Sequence, residues 1–291
     1  MNDTSASAYV EHFVPLRDGL KLYCREYGAS HRGRPPLLCL PGLTRNCRDF
    51  EPLARDFADR WRVLTPDLRG RGRSDYDPDW RRYQPQTYVA DVGELLLSRG
   101  EPRVVVIGTS LGGLIGMLMA AVSPGVLAGL VLNDIGPEID PAGLGRIATH
   151  VGKLPPVRSW EEAAAQARGV NQRALPDYTD ADWMRFARAT YRDDGTGQPV
   201  LDMDPRIGDA VRETPSGAAP DLWPLFGMLA TVPTLAIRGE NSDILSAATW
   251  ARMAQAKPDL ETVQVPGRGH APTLDEPVCR AALRRFLETT R

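Results

Sequence analysis

The sequence predicts an α/β protein: a mostly parallel central sheet with helices on both faces and an inserted helical cap. Three observations carry this. Short, continuous apolar runs at 36–40, 104–107 and 127–132 read as strands covered on both faces. Helical stretches alternate with them, which is the order of a parallel sheet with crossover helices. After 133–137 the rhythm changes, and amphipathic helical segments run on until a strand resumes at 234–238.

In chain order, 20–27 alternates as a strand and 36–40 is a buried one. Residues 50–61 have helical periodicity, and 61–65 is a strand ending at Pro66-Asp67. Residues 83–99 form a helix with Tyr88, Val92, Leu95 and Leu96 on one face. Strand 104–107 runs through a tight turn into the apolar helix at 114–121, and 127–132 is the next strand. The inserted helices are expected at 143–153, 159–170 and 179–192. Ser159 and Thr179 stand as N-caps before acidic first turns. A loop at 193–197 follows. Strand 234–238, helix 247–257, strand 261–265 and helix 277–288 complete the chain. The expected division is a core of 1–136 and 228–291, a cap of 137–227, and hinges at 134–137 and 223–227.

At 291 residues, one large domain with an insertion fits. The 42% hydrophobic and 25% charged content is that of a soluble protein. A net charge of −2 and scattered arginines, beside only Lys21, Lys153 and Lys257, argue against nucleic acid. Cys24, Cys39, Cys47 and Cys279 form no C-x-x-C, so zinc and redox chemistry are not expected, and Cys39 reads as a small core residue. The start has no basic or apolar leader, and no 18-residue apolar run exists. A cytoplasmic protein is expected.

The chemistry centres on Gly108-Thr109-Ser110-Leu111-Gly112 at the strand–helix turn. A serine on so sharp a turn needs neighbours without bulk, and the helix N-terminus aims free N–H groups at it. Ser110 is therefore the candidate nucleophile. A serine needs a base, and the base an orienting carboxylate. Of the four histidines, His270 follows the strand at 261–265, where a doubly wound sheet places active groups. His12 lies near an irregular start, His31 in a polar loop and His150 in the insertion. Asp243, just beyond strand 234–238, is the expected carboxylate, with Asp134 and Glu240 left open. The oxyanion donors are expected to be the N–H groups of Leu111 and of Leu43, the latter on the loop Pro41-Gly42-Leu43.

With these residues in hand, the chain resembles the α/β-hydrolase superfamily over nearly its whole length. The Pro41-Gly42 loop, the 67–74 stretch Asp-Leu-Arg-Gly-Arg-Gly-Arg-Ser, the 108–112 elbow, Asp243 and Gly269-His270 carry the resemblance. Many relatives have His-Gly where this chain has Pro41-Gly42. Ser110 argues against the epoxide hydrolases and haloalkane dehalogenases, which need an aspartate, and the dienelactone hydrolases, which use cysteine. The 67–74 stretch resembles a glycine-rich loop that either shapes the site entrance or forms a packed turn. The insertion resembles the caps of lactonases, C–C-bond hydrolases and small-molecule esterases.

The resemblance implies a serine esterase or lactonase cleaving a small or medium carboxylic ester or lactone, without metal or organic cofactor. A C–C-bond hydrolase for keto-acids or a perhydrolase on the same triad is the alternative, and a non-catalytic ligand receptor a remoter one. Expected substrate contacts are Arg45, His150, Trp160, Trp183 and Trp223, and Arg45, Asn46 and Arg48 are available to an acid substrate. The partner is a small molecule, with neither nucleic acid nor membrane, and a homodimer is compatible with the chain.

Overall fold

The computed structural model describes residues 9–213 and 221–290. The strands are β1 (Val10–Pro15), β2 (Lys21–Tyr27), β3 (Leu37–Leu40), β4 (Val63–Pro66), β5 (Val104–Thr109), β6 (Leu127–Asn133), β7 (Tyr191–Asp193), β8 (Pro199–Leu201), β9 (Thr234–Gly239) and β10 (Glu261–Val265). Eight of them make one sheet in the order β1-β2-β4-β3-β5-β6-β9-β10. The β1–β2 and β2–β4 pairs are antiparallel, and every other pair in this sheet is parallel. The strand that leads into Ser110, β5, is thus central.

Strand alternation splits the core in two. Leu38, Leu40, Val106, Leu130 and Leu132 face one side, against Val92 and Leu95 of α2 (Pro85–Arg99) and Ile115 of α3 (Leu111–Val122). Leu37, Cys39, Val105, Ile107 and Val131 face the other, against Leu53 and Phe57 of α1 (Glu51–Phe57) and Leu283 and Phe286 of α10 (Pro277–Thr289). Cys39 is fully buried, and burial pushes its thiol up. All four cysteines are unpaired and buried. Among the described residues, no helix is long and apolar enough to cross a membrane.

Between β6 and β9 the chain forms α4 (Pro141–His150), α5 (Trp160–Asn171), α6 (Asp180–Thr190), the β7–β8 ribbon, α7 (Ile207–Glu213) and α8 (Trp223–Gly227). The caps lie where the sequence puts them: Ser159 accepts from Glu162 N–H, and Thr179 forms a capping box with Asp182. The 193–197 loop joins the two strands of an antiparallel ribbon. Two strands of three residues are too short to leave a pattern of alternation. α9 (Ala247–Ala256) closes the β9–β10 crossover.

The start of the chain differs from the sequence expectation. His12 lies in β1, an edge strand, and its Nε2 pairs with Glu26 at 2.7 Å. Only Val14 of that strand is buried, so no apolar alternation marked it.

Candidate active site

The elbow is set by backbone. Ser110 has φ of +52°, a conformation costly for a residue with a Cβ, and its N–H donates to the Asn133 carbonyl at 2.9 Å. Glycine on either side has a measurable reason. A Cβ on Gly108 would sit 2.4 Å from the Gly112 carbonyl carbon, and one on Gly112 would sit 2.1 Å from the Leu40 carbonyl oxygen. Both obstacles are backbone, in a core strand or helix, and neither can yield. Gly112→Ala should lower the unfolding free energy by about 2–4 kcal/mol. A shift in the urea midpoint at constant m-value checks this; an unchanged midpoint means the elbow has slack.

Ser110 Oγ lies 3.0 Å from His270 Nε2, and the other ring nitrogen, Nδ1, lies 2.7 Å from Asp134 Oδ2. His270 is 9% exposed at its side chain and Asp134 is fully buried. Asp134 immediately follows β6 at φ of +58°, a region that aspartate tolerates better than most residues. Its Oδ1 accepts the Gly239 N–H at 2.8 Å, and its Oδ2 also accepts the Ser242 hydroxyl at 2.6 Å. The end of β9 therefore serves Asp134 rather than supplying the carboxylate.

That corrects the sequence expectation for Asp243. Its carboxylate turns to the inserted segment, where Arg146 of α4 donates to both oxygens, at 2.5 and 2.9 Å. These hydrogen bonds hold its carboxyl below the usual range. Glu240 accepts the Gly267 N–H at 2.8 Å, which steadies the turn leading to His270. Asn133, which sequence reasoning passed over, is fully buried and donates from Nδ2 to the Pro272 carbonyl and to Thr109 Oγ1. It ties the histidine loop to the end of β5.

Leu111 is the first residue of α3, so its N–H has no acceptor within the helix. Leu43 lies just beyond β3 and lines the same cavity as Ser110 and His270. That cavity, about 420 Å³, lies between the sheet's C-terminal edge and α4–α6. Its wall includes His150, Phe186 and Met203.

Arg45 also lines the cavity, but its guanidinium is already engaged. It holds Asp49 through two bonds, donates to Thr190 Oγ1 and lies 4.2 Å over the Phe186 ring. Arg48 donates to the Ala189 and Tyr191 carbonyls and to Asp202, and Asn46 Nδ2 donates to the Ala189 carbonyl at 2.9 Å. The three polar residues offered for an acid substrate instead grip the C-terminal end of α6, where orphan carbonyls attract cations.

The three tryptophans, by contrast, do not line the cavity. Trp160 packs under the Arg188 guanidinium in a small core with Val157 and Tyr191. Trp183 is buried edge-on to Tyr178 and Phe186, so its neighbours reach the cavity and it does not. Trp223 donates to Glu138 at 2.5 Å, meets Phe226 edge-on and lies under the Arg252 guanidinium. Each fills an interface that a large ring stabilises by burial.

Residues 37–282 match the profile of the alpha/beta hydrolase family. A 3-hydroxybutyrate-oligomer hydrolase of Cupriavidus necator is 33% identical over 86% of this chain and 87% of its own. A 2-(acetamidomethylene)succinate hydrolase of Mesorhizobium japonicum is 29% identical over 92% of each. The crystal structure of an alpha/beta hydrolase from Novosphingobium aromaticivorans superposes with a TM-score of 0.91 at 47% identity, covering 98% of this chain and 99% of that one. With a profile match across most of its length and a relative one-third identical over 86% of it, the chain belongs to the alpha/beta hydrolase family.

Proposed function

We propose that the protein is a serine hydrolase that cleaves a small or medium carboxylic ester or lactone through an acyl-enzyme. The observation that carries this is the unbroken relay Ser110 Oγ–His270 Nε2 and His270 Nδ1–Asp134 Oδ2, at 3.0 and 2.7 Å. His270 takes the Ser110 proton as Oγ attacks the carbonyl, and Asp134 stabilises the imidazolium that forms. The Leu43 and Leu111 N–H groups stabilise the oxyanion of the tetrahedral intermediate. Collapse expels the alcohol, which takes the proton from His270, and water then releases the acid by the same route.

The cavity volume of about 420 Å³ supports a small ligand, near the lower end of the usual range of about 300–1,000 Å³. The engagement of Arg45, Asn46 and Arg48 with α6 takes up the groups that the sequence offers to a keto-acid C–C substrate, although Arg146 and Arg185 also line the cavity. The 3-hydroxybutyrate-oligomer relative adds short linear hydroxyacid esters to the substrates worth testing.

A p-nitrophenyl ester series from acetate to decanoate, run beside 3-hydroxybutyrate dimer and a set of lactones, sizes the pocket. Turnover is expected to peak at short or medium acyl chains, with stoichiometric labelling by a fluorophosphonate probe. A folded protein that neither labels nor turns over any of these substrates overturns the reading.

A further inference from the structure

We infer that Arg71 is a positioning residue for the oxyanion loop, acting through the Leu43 carbonyl; this rests on the acyl-transfer reading above. Arg71 lies in the 67–74 stretch and is fully buried. Its Nε donates to the Leu43 carbonyl at 2.9 Å, and its Nη1 donates to the Arg69 carbonyl at 2.6 Å and the Tyr88 hydroxyl at 2.8 Å. Every one of these acceptors is neutral. Its Nη2 has no hydrogen-bond partner among the described residues.

This is unusual company for a buried guanidinium, which ordinarily meets a carboxylate. Arg69, two residues earlier and equally buried, does so, with Asp77 and Asp91. Arg71 lies instead beside the Tyr88 and Tyr83 rings, 4.7 and 5.9 Å from their centroids. Desolvation disfavours such an arrangement, so its geometry points to a use that a paired charge would not serve.

The use lies at Leu43. A residue's own carbonyl oxygen and amide nitrogen are about 3–3.5 Å apart by covalent geometry, so the guanidinium lies within about 7 Å of the Leu43 N–H. Holding the carbonyl from behind fixes the Leu43–Thr44 peptide plane and so restrains the adjoining plane that carries the Leu43 N–H. The charge, unneutralised by a carboxylate, adds a favourable field at a developing oxyanion in a site of low dielectric. The anchor is itself held. Arg71 forms a backbone bridge with Met203, which lines the cavity, and the Gly72 N–H donates to the Asp202 carbonyl at 2.9 Å. Arg71 is absent from the cavity wall, so it meets substrate only through Leu43.

The test compares wild type, Arg71→Met, Arg71→Lys and Tyr88→Phe on a p-nitrophenyl ester, with affinity for a trifluoromethyl ketone that forms a tetrahedral adduct on Ser110. Arg71→Met is expected to lower kcat by about 10²-fold, with KM within about threefold, and to weaken the ketone in the same proportion. Arg71→Lys restores part of the loss, because the charge returns without the Nε bond. Tyr88→Phe, which loosens the guanidinium and leaves it in place, costs a few-fold in kcat. A folded Arg71→Met with kcat within twofold of wild type overturns the inference. So does a loss confined to KM with ketone affinity unchanged. Should Arg71→Met fail to fold, wild-type kcat and ketone affinity in both Arg71→Lys and Tyr88→Phe overturn it as well. A wild type inert to esters and to the fluorophosphonate probe overturns the acyl-transfer reading, and this inference with it. An active wild type with unaffected variants overturns this inference alone.

Discussion

Ser110→Ala is expected to lower kcat on a p-nitrophenyl ester by about 10⁴–10⁶-fold while leaving the protein folded. The change removes one oxygen whose hydrogen-bond partner is His270 and which makes no capping bond to α3. Stability therefore moves little: the backbone strain at φ of +52° is the same for alanine, and the N–H bond to the Asn133 carbonyl remains. KM should stay within a few-fold, since the oxyanion loop and the cavity wall are untouched. What is lost is the bond-forming atom, and no neighbouring hydroxyl stands in for it; Thr109 Oγ1 is committed to Asn133. The measurement is steady-state kinetics beside a denaturant midpoint. Turnover within tenfold of wild type would mean that the carbonyl is attacked by something other than Ser110.

The nucleophile elbow was legible because its determinants are local. The apolar run of β5, two glycines forced by backbone clashes at 2.4 and 2.1 Å, and the apolar α3 lie within one short stretch of chain. The central strands were legible for the same reason, since burial on both faces leaves a continuous apolar run. Edge strand β1 was not, because just one of its side chains is buried. The functions of charged and aromatic residues were harder to see. Arg45 and Arg48 stand beside the oxyanion loop in sequence, but the ends of their side chains meet α6, more than 140 positions away. Trp160, Trp183 and Trp223 are large apolar groups in the sequence; that none of them faces the cavity follows from how the inserted helices pack. The carboxylate was undecidable locally. Asp134 and Asp243 each follow a strand, and β6 and β9 are neighbours, so both come within reach of His270. The choice is made by donors elsewhere. The Gly239 N–H and Ser242 hydroxyl collect Asp134, while Arg146 in α4 draws Asp243 away. The positive φ at Asp134, a region in which aspartate is enriched, shows only once the exit from β6 is folded.

Asp134→Asn and Asp243→Asn should therefore separate by orders of magnitude. Asp134 presents two oxygens to three donors in a fully buried site. An asparagine there must aim its NH₂ at one of them. Aimed at Gly239, it sets two donors against each other without solvent, an arrangement that costs about 1–3 kcal/mol. Aimed at His270, it forces Nδ1 to accept, which places the ring proton on Nε2, facing Ser110, where it blocks proton removal. Either choice also deletes the charge that stabilises the imidazolium. A fall in kcat of about 10³–10⁴-fold is expected, with burst amplitude at the active-site titre lost along with it. Asp243→Asn breaks a partly exposed ion pair with Arg146, worth about 0–1 kcal/mol. Its kcat should stay within a few-fold, with any change falling on KM through the α4 wall of the cavity. The reverse ranking, with Asp243→Asn the crippled enzyme, would mean that the working carboxylate sits on the loop after β9 and that the Asp134–His270 contact is merely structural.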